Sequence, residues 1–313
     1  MTKAETIQPL VSIALCTYNG ASFIKQQLDS ITNQSYTNLE IIICDDASSD
    51  KTIKIIEDCR ANDPRIKFFR NDRNIGYNKN FEKAFTLCTG EYIAISDQDD
   101  VWEKNKIELI MENWPSGSLF VYSLSGNFMN DDFTGRTEAP RVRYTAIDDL
   151  HKLVFNSPVH GHACMFKKEL LQLCTPFPPD IYYDWWMSMQ AAATGIIGCI
   201  PFTLTWHRNH SQNSSRTLTT IKDREERDKQ LRNQMIHFIE TFCHCIPIAS
   251  KQTDSLLTYT RILKKMDGRK FHPEMFFYVF KNRKLIFHYK KNKAFAFLSH
   301  LKHAWRMGYR GLL

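Results

Sequence analysis

The first hundred residues alternate between short apolar runs and longer segments with helical spacing, and this alternation constrains the fold more than any other feature. The apolar runs predict strands at residues 11–16, 40–44, 66–69 and 91–95. The segments between them carry apolar side chains at helical intervals, as Ile24, Leu28 and Ile31 do. Consecutive parallel strands need a crossover, which is usually helical and right-handed. The pattern therefore predicts an α/β fold with a mostly parallel central sheet and helices on both faces.

Polar residues follow three of the predicted strands at the point where each strand ends. They are the clusters at residues 17–20, 45–46 and 97–100. In open α/β sheets, ligands bind in the crevice beyond the carboxyl ends of the strands, so we expect the three clusters to converge on one pocket. No Gly-x-Gly-x-x-Gly motif follows the first strand and no Walker motif is present, which disfavours a dinucleotide cofactor or a P-loop nucleotide.

The third cluster, Asp97-Gln98-Asp99-Asp100, places three carboxylates within four residues. Carboxylates at this spacing repel one another and need a cation or a protein partner. Mg²⁺ or Mn²⁺ takes a few carboxylate oxygens together with substrate phosphates, and Asp97 and Asp99 suit that role. The alternative is a solvated turn that caps a helix predicted to begin near Val101. The residues of this segment alone leave both interpretations open.

Composition restricts the class of protein. A chain of 313 residues with 43% hydrophobic residues can form one large or two modest globular domains. No stretch approaches 18 consecutive apolar residues, and the first residues lack the apolar core of a signal peptide, so we expect a cytoplasmic location. The nine cysteines are odd in number and form no Cys-x-x-Cys pair, so we expect reduced thiols, with neither a zinc site nor a disulfide framework indicated.

The basic residues are concentrated at the C-terminus. Residues 275–313 contain nine Lys or Arg and no Asp or Glu, and subtracting this +9 from the net charge of +7 leaves −2 for the remainder. Aromatic residues such as Phe287, Phe297 and Trp305 are interleaved with the basic ones. This composition is typical of helices that lie on anionic lipid headgroups. Nucleic acid would compete for such a patch, but we expect no nucleic acid. A basic helical face packed on the body is the structural alternative.

After residue 115 the pattern is less regular, and the predicted elements lead to a boundary near residue 215. The chain becomes helical and charged from about residue 220. The intervening predictions are a strand at 118–123, a loop at 130–144, a helix at 146–156, a strand at 161–166, a short helix at 168–174, a helix from 180 to about 194 and a closing segment at 203–215.

Four ordered motifs resemble those of the inverting family 2 glycosyltransferases, which have the GT-A fold, a Rossmann-like α/β fold. Residues 11–20 resemble the opening strand and nucleotide loop of that family. Residues 45–52 are similar to its Asp-Asp-x-Ser-x-Asp-x-Thr signature, and residues 74–76 to the loop before its third helix. Residues 97–99 stand where the family has its metal-binding Asp-x-Asp. Because the resemblance spans residues 11–215, it implies a catalytic domain at 1–215 and a helical, basic region at 216–313.

Two later motifs are similar to a narrower group within the family. Asp184-Trp185-Trp186 resembles the segment that carries the catalytic base, although Tyr183 stands where the family more often has Glu. Residues 206–213 resemble a Tyr-Arg-x-His-x-x-Asn motif, with Trp and His at its first positions. Together with Ser-Asp-Gln-Asp-Asp-Val-Trp, these motifs are similar to bacterial rhamnosyltransferase-like enzymes of O-antigen and capsule synthesis.

The resemblance implies roles for individual residues. Asp97 and Asp99, with His210 as a further ligand, would bind Mn²⁺ or Mg²⁺ and so neutralise the leaving nucleoside diphosphate. Asp184 would be the catalytic base, and its aromatic neighbours would raise its pKa. The alternative for Asp184 is a helix N-cap above a tryptophan-rich core. His162 is left outside the predicted site because a lone histidine on a strand is more often structural.

A second group of residues is predicted to bind the nucleotide sugar. Asp45 or Asp46 would accept hydrogen bonds from the base or ribose, although Asp46 also suits a turn. Arg208 would contact the diphosphate, with a surface salt bridge as its alternative. The full set predicted to bind the donor is Thr17, Tyr18, Asn19, Asp45, Asp46, Asp97 and Arg208.

Three functional hypotheses follow. The first is metal-dependent inverting transfer of a sugar, with dTDP-L-rhamnose as the first donor considered, to a saccharide or lipid-linked saccharide acceptor in bacterial surface polysaccharide synthesis. The enzyme would then be cytoplasmic, with peripheral attachment to the cytoplasmic face of the membrane. The second keeps the fold and uses a UDP-hexose such as galactose, glucose or N-acetylglucosamine. The third is a non-catalytic, membrane-associated scaffold, which has no need of a complete set of ligands and base.

Overall fold

A computed structural model describes residues 8–129, 132–138, 144–210, 224–246, 250–266, 270–289 and 296–312. Nine strands and twelve α-helices are present in these ranges. The strands are β1 (Val11–Thr17), β2 (Leu39–Asp45), β3 (Ile66–Arg70), β4 (Tyr92–Ser96), β5 (Val101–Trp102), β6 (Phe120–Met129), β7 (Asp132–Thr137), β8 (Cys164–Lys167) and β9 (Gly198–Asn209). The helices are α1 (Ile24–Thr32), α2 (Thr52–Arg60), α3 (Tyr77–Leu87), α4 (Lys106–Glu112), α5 (Leu150–Asn156), α6 (Leu171–Cys174), α7 (Tyr183–Thr194), α8 (Arg224–Cys245), α9 (Lys251–Lys265), α10 (Pro273–Lys281), α11 (Arg283–Ile286) and α12 (Ala296–Arg310). The predicted α/β class is confirmed.

The first four strands pair in the order β3-β2-β1-β4, and every pair is parallel, as predicted. All seven residues of β1 and of β2 are buried, which requires cover on both faces of the sheet. On α1, the side chains of Ile24, Leu28 and Ile31 point into one core cluster with Ile13 and Ile41. Their spacing places them on one face of the helix, so the apolar stripe read from the sequence is the buried one.

The second half of the sheet is mixed, and it places β9 beside the acidic cluster. Strand β8 lies antiparallel between β4 and β6, β6 and β9 are parallel, and β9 pairs antiparallel with β5. In the pairing of β5 with β9, Val101 lies opposite Trp206. The C-terminal end of β9 therefore reaches the turn that follows β4.

Several predicted elements differ from the structure of the described residues. The strand expected at 161–166 begins at Cys164, after a 3₁₀ turn at Gly161–Ala163, and the helix expected at 146–156 begins at Leu150. The helix expected near Val101 begins at Lys106, because Val101 and Trp102 instead pair with β9. The segment 130–144, expected to be a loop, contains strand β7, which pairs antiparallel with β6. The helix expected from residue 180 begins at Tyr183, after a turn that contains Asp180. For β5 and β7, pairing with another strand decides the structure over local propensity.

The chain forms two compact units. The first comprises residues 1–140, 159–191 and 195–210, and it contains the whole sheet. The second comprises residues 141–158, 192–194 and 211–313. Within the second unit, α5, α9 and α10 share an aromatic core in which the rings of Phe155 and Tyr259 lie 4.7 Å apart and those of Tyr259 and Tyr278 5.6 Å apart. The predicted boundary at residue 215 lies outside the described residues and stays a prediction.

In the part of the chain that the structure describes, no helix has both the length and the apolar character needed to cross a membrane. Helices α10 and α12 of the second unit carry the exposed aromatic residues of the C-terminal region. Those residues are Phe277, Phe297, Trp305 and Tyr309. Of the nine basic residues that follow residue 275, those at 290, 291 and 293 lie outside the described residues.

Candidate active site

The three polar clusters predicted to converge do meet at the carboxyl edge of the sheet. The Thr17 hydroxyl, at the end of β1, donates to Asp45 Oδ2 at the end of β2 over 2.8 Å. The side chain of Gln98 accepts a hydrogen bond from the backbone N–H of Tyr18 at 2.9 Å and donates to its carbonyl oxygen at 3.1 Å. Side-chain hydrogen bonds therefore join the ends of β1 and β2 and the loops after β1 and β4, so the three clusters are adjacent, and their convergence on one pocket stays a prediction.

The predicted nucleotide residues differ in how open they are. Thr17 and Asp45 are buried, and Asp45 Oδ1 also accepts from the backbone N–H of Ser48 at 2.8 Å. Tyr18 is 48% exposed, so its ring faces solvent at the rim of the site. Asn19 has a φ of +49°, a left-handed conformation that asparagine tolerates better than most residues, and its Oδ1 accepts from Ser49 N–H at 2.9 Å.

Asp46 is buried and holds the loop that precedes α3. Its Oδ1 accepts from the backbone N–H of Ile75 at 2.8 Å, and its Oδ2 accepts from that of Gly76 at 2.9 Å. The amide of Asn71 donates to Oδ1 as well, at 2.8 Å. These bonds give Asp46 a clear structural task, which is to fix the entry to α3. Its contact with a nucleotide stays a prediction.

The three carboxylates after β4 lie in different environments. The side chain of Asp97 is 38% exposed, that of Asp99 is 15% exposed, and that of Asp100 is fully buried. Burial raises the pKa of Asp97, and the charges of Asp100 and Asp99 raise it further. Burial and Asp100 likewise raise the pKa of Asp99. A bound cation would stabilise the ionised forms of the Asp97 and Asp99 carboxyl groups, whose pKa values are raised without it.

Strand β9 brings the basic partners of this cluster. His210, just beyond its end, is buried and lies with Nε2 2.8 Å from Asp99 Oδ2. His207 Nδ1 lies 3.0 Å from Asp100 Oδ1, which also accepts from Arg208 N–H at 3.3 Å. Burial favours the neutral form of His207, but its hydrogen bond to Asp100 outweighs this and raises its pKa to about 9. His210 and Asp99, which are both predicted metal ligands, are therefore in contact, and their role as metal ligands stays a prediction.

Arg208 lies inside the protein and not on its surface, with 1% of its area exposed. Its Nε donates to the Asp99 carbonyl oxygen over 2.9 Å, and its guanidinium lies 4.5 Å from the centre of the Phe128 ring. The surface salt bridge considered from the sequence is therefore wrong. The guanidinium stabilises the turn that carries the acidic cluster, and its contact with a diphosphate stays a prediction.

Asp184 lies in the first turn of α7, two residues after the N-cap position, which Tyr182 occupies. Its Oδ1 accepts from the Trp185 N–H at 2.9 Å, and its Oδ2 accepts from the Gly161 N–H at 3.2 Å. The side chain keeps partial access to solvent. Burial nevertheless raises the pKa of Asp184, and the two backbone hydrogen bonds offset only part of this effect. The same carboxylate contributes to the raised pKa of Asp97, which places both groups in one electrostatic environment.

Sequence reasoning missed His162 and Lys106. His162 is buried, its Nε2 lies 2.8 Å from Ser125 Oγ, and its ring stacks on that of His207 at 4.9 Å between centroids. The Lys106 ammonium is buried beneath it and donates to the His162 carbonyl oxygen at 3.0 Å. His162 is thus not a lone histidine, but its neighbours come from β6, β9 and α4, so no local sequence signal could have found them.

The donor set fits a divalent cation. Among the described residues, the ligand atoms that lie within 4.8 Å of one another belong to Asp100, His162 and His207, and the predicted set of Asp97, Asp99 and His210 does not form such a group. Asp100 Oδ2 is buried with no hydrogen-bond partner. The more open Asp97 and Asp99, with His210 beside them, supply carboxylate oxygens and one imidazole nitrogen. Manganese accepts both kinds of ligand and magnesium prefers the oxygens, so either ion is compatible with these residues.

The fold and the site define an α/β domain with an acidic cluster at the carboxyl edge of its sheet. The model of "Glycosyl transferase family 2" matches residues 12–174, more than half of the chain. The chain therefore belongs to glycosyl transferase family 2, and it is a glycosyltransferase.

Two curated relatives show how far the similarity extends. The Escherichia coli UDP-Glc:alpha-D-GlcNAc-diphosphoundecaprenol beta-1,3-glucosyltransferase WfgD is 30% identical over 184 residues, which cover 58% of this chain and 69% of that protein. E. coli chondroitin synthase is 39% identical over 106 residues, which cover 34% of this chain. The match spans only 15% of the length of chondroitin synthase, so the similarity is to one part of that protein.

Two solved structures share the fold. S. aureus TarS in complex with UDP-GlcNAc superposes with a TM-score of 0.63 at 16% identity, covering 96% of this chain and 89% of that chain. The Pyrobaculum calidifontis mannosyltransferase PcManGT, in complex with GDP-Man and Mn²⁺, superposes with a TM-score of 0.59 at 17% identity, covering 97% and 82%. At these identities the likeness confirms the predicted GT-A fold alone.

Proposed function

We propose that this protein transfers a sugar from a nucleotide-sugar donor to a saccharide or lipid-linked saccharide acceptor, with inversion at the anomeric carbon and with Mn²⁺ or Mg²⁺ as cofactor. One observation carries the proposal. The pair Asp99–His210, the open carboxylate of Asp97 and the raised pKa of Asp184 occur together at the edge of the sheet where such folds bind ligands. A binding module has no need of this combination, which argues against a non-catalytic scaffold.

Asp97, Asp99 and His210 would hold the divalent cation. When bound, the cation supplies Lewis acidity that neutralises the negative charge on the departing nucleoside diphosphate. Tyr18, with its half-exposed ring, would pack against the nucleobase, and Asn19 shapes the loop that carries it. Thr17, Asp45 and Asp46 are buried, so they would hold the surrounding loops in position. The buried Arg208 would fix the position of the Asp99 backbone and strengthen the positive field near the diphosphate.

Asp184 would act as the base. As the bond between the anomeric carbon and the diphosphate oxygen breaks, the acceptor hydroxyl oxygen bonds to that carbon from the opposite face, and its proton passes to the Asp184 carboxylate. A raised pKa makes this carboxylate a better proton acceptor than an ordinary aspartate. The hydrogen bonds from Trp185 and Gly161 fix the direction of the carboxylate.

The donor is a choice between two classes. The sequence motifs favour dTDP-L-rhamnose, through the resemblance to rhamnosyltransferase-like enzymes. WfgD is named for the donor UDP-Glc, and TarS was solved in complex with UDP-GlcNAc. These two proteins favour a UDP-hexose as the donor over dTDP-L-rhamnose. The name of WfgD also includes an acceptor linked to diphosphoundecaprenol, which supports a lipid-linked saccharide as the acceptor of this protein. Thermal-shift titration with dTDP and UDP in the presence of Mn²⁺ separates the two classes, because each nucleotide stabilises only a protein that binds it.

The catalytic test uses matched variants. We expect Asp184→Asn to reduce sugar transfer roughly 100-fold or more while leaving nucleotide binding intact. We expect Asp99→Ala to abolish the stabilisation by Mn²⁺ and to slow release of nucleoside diphosphate from the donor. The exposed Asp180, four residues before Asp184, supplies the control Asp180→Asn, which should behave as wild type. Equal turnover in Asp184→Asn and wild type would refute the assignment of the base.

The setting we propose is bacterial surface polysaccharide synthesis at the cytoplasmic face of the membrane. On α12, Lys302, Trp305 and Arg306 are exposed, which combines positive charge with an interfacial aromatic ring. We expect the double variant Trp305→Ala, Arg306→Glu to lose affinity for vesicles that contain anionic phosphatidylglycerol. The control Lys251→Glu changes an exposed lysine of α9. Equal vesicle binding by the double variant and wild type would contradict the membrane role of α12 and would favour the alternative that its basic face packs on the rest of the protein.

A further inference from the structure

Two exposed tyrosines and a tryptophan lie beside Asp184, where a sugar transfer would need to hold its acceptor. Tyr77 is 49% exposed and Tyr182 is 50% exposed, although large aromatic side chains usually bury much more of their surface. Their rings are stacked at 5.9 Å between centroids, with an angle of 27° between the ring planes. Trp185 meets Tyr182 edge-on at 6.3 Å. The three side chains form a continuous aromatic surface, named here the aromatic platform.

The platform is built by the fold and is not a chance meeting of surface side chains. Asn78, the second residue of α3, is buried and donates from Nδ2 to the Ile181 carbonyl oxygen over 2.6 Å. Its Oδ1 accepts from the Tyr183 N–H over 3.0 Å. One amide side chain therefore joins the start of α3 to the start of α7. Because Tyr77 precedes Asn78 and Tyr182 precedes Tyr183, these two bonds fix the two tyrosines next to each other.

A second anchor connects the platform to the donor side of the site. Asp46 holds the backbone N–H groups of Ile75 and Gly76, the two residues before Tyr77. Gly76 has a φ of +85°, a left-handed conformation that favours glycine, and α3 begins immediately after it. The position of Tyr77 at the start of α3 is thus set by the preceding loop, which Asp46 holds in place.

The platform lies within electrostatic reach of the proposed base. Asp184 lies between Tyr182 and Trp185 along α7, and burial together with the charges of Tyr182 and Asp184 raises the pKa of Tyr77. A pyranose ring has faces of C–H groups, which pack on aromatic rings, and hydroxyl groups at its edge, which tyrosine hydroxyls can bond. An exposed aromatic surface beside a base therefore matches the chemistry of a saccharide acceptor that must present one hydroxyl for deprotonation.

We propose that Tyr77, Tyr182 and Trp185 form the binding subsite for the acceptor saccharide and stack against the sugar ring next to the one that accepts the transferred group or against that ring itself. This inference rests on the proposed function, because it assigns the platform to the acceptor of the same reaction. It assigns the platform neither to the nucleobase nor to the diphosphate, which leaves Tyr18 and the acidic cluster for the donor.

The test measures sugar binding without turnover. Saturation-transfer NMR would follow the methyl glycosides of glucose, galactose, N-acetylglucosamine and rhamnose on the wild-type chain and on Tyr77→Ala and Tyr182→Ala. We expect each alanine variant to weaken binding about fivefold, as loss of an aromatic stacking contact does. Tyr77→Phe and Tyr182→Phe keep the ring faces and should retain most of the affinity. Phe202→Ala, which removes a side chain on β9 that is 42% exposed, is the matched control and should bind as wild type.

Nucleotide binding provides the second readout. Thermal shifts with UDP and dTDP in the presence of Mn²⁺ should be equal in wild type, Tyr77→Ala and Tyr182→Ala, which also shows that the variants fold. The proposal is overturned if the wild type binds none of the glycosides, if the alanine variants bind them as wild type does, or if those variants lose nucleotide affinity. Failure of the proposed function would give a different result. The protein would still bind glycosides on the aromatic platform, but it would release no nucleoside diphosphate from any nucleotide-sugar donor.

Discussion

Lys106 provides the sharpest prediction about the floor of the site, since it is fully buried beneath His162. Its ammonium donates to the His162 carbonyl oxygen at 3.0 Å and to Thr205 Oγ1 at 2.8 Å, and it lies 3.6 Å from the centre of the Trp102 ring. Burial nevertheless dominates over the attraction of Asp100, and it lowers the pKa of Lys106 from 10.5 to about 7. A decrease of this size corresponds to a cost of about 5 kcal/mol for keeping the group charged in the folded protein.

The sign of the pH effect follows from where the proton is bound. Below pH 7 the lysine is charged in both states, so the cost is fully present. Between pH 7 and 10.5 the unfolded chain holds a proton that the folded chain has released, so the free energy of unfolding rises with pH. From pH 7 to pH 9 this contribution amounts to about 2 kcal/mol. Lys106→Met keeps the packing on Trp102 and removes the titration, at a cost of about 1–3 kcal/mol for each acceptor left without its donor.

The measurement is urea unfolding of wild type and Lys106→Met at pH 7, 8 and 9, followed by tryptophan fluorescence. We expect wild type to gain about 2 kcal/mol relative to the variant over this range. Lys104→Met, which changes an exposed lysine two residues earlier, is the control, and its difference from wild type should not depend on pH. A constant difference between wild type and Lys106→Met across the three pH values would refute the reasoning, because it would mean that the buried lysine keeps its proton throughout.

Three further predictions concern the base and its supports. Because the pKa of Asp184 is raised, the rate of sugar transfer should fall with acid at a pH above that of an ordinary aspartate; a pH–rate profile that loses activity only near about pH 4 would contradict this. Gly161→Ala should reduce turnover, since the added Cβ would lie 2.4 Å from the Tyr183 hydroxyl and 3.4 Å from the Asp184 Cβ; steady-state kinetics with unchanged nucleotide affinity would confirm it, and unchanged turnover would oppose it. Asn78→Ala removes the bonds to Ile181 and Tyr183 and should lower the free energy of unfolding by about 1–3 kcal/mol, whereas a smaller loss in urea titrations would show that solvent replaces them.

The first half of the fold was predictable because its signals are local. Strand β1 is apolar at nearly every position, as a strand covered on both faces must be, and the helices between strands show a clear apolar stripe. Because parallel strands end at one edge of the sheet, the sequence also predicts that Thr17, Asp45 and the acidic cluster lie close together. The contacts between the loops follow from topology alone, which is why they agree with the structure.

The second half was less predictable because its structure depends on distant partners. Val101 and Trp102 follow acidic residues that suit a helix cap, yet they form a strand because β9 offers them hydrogen bonds. The interpretation of His162 as a lone structural residue was reasonable for one position. The contacts of His162 with His207 and Ser125 come from strands that pair only in the folded sheet, so the sequence could not indicate them. The spacing of a single motif cannot reveal neighbours that are separated by dozens of residues.

The acidic cluster shows how burial divides three similar side chains among different tasks. Burial alone would raise the pKa of Asp100, but His162 and His207 outweigh it and hold that pKa below its ordinary value. Asp97 and Asp99 lack an equal compensation, and their pKa values are raised. Asp97 and Asp99 are therefore the carboxylates that gain most from the proposed external cation. Their combined charge of about −2 when ionised equals that of a divalent ion in magnitude. The charge balance at this edge of the sheet, and not the presence of three acidic residues as such, is what supports the proposed divalent cation.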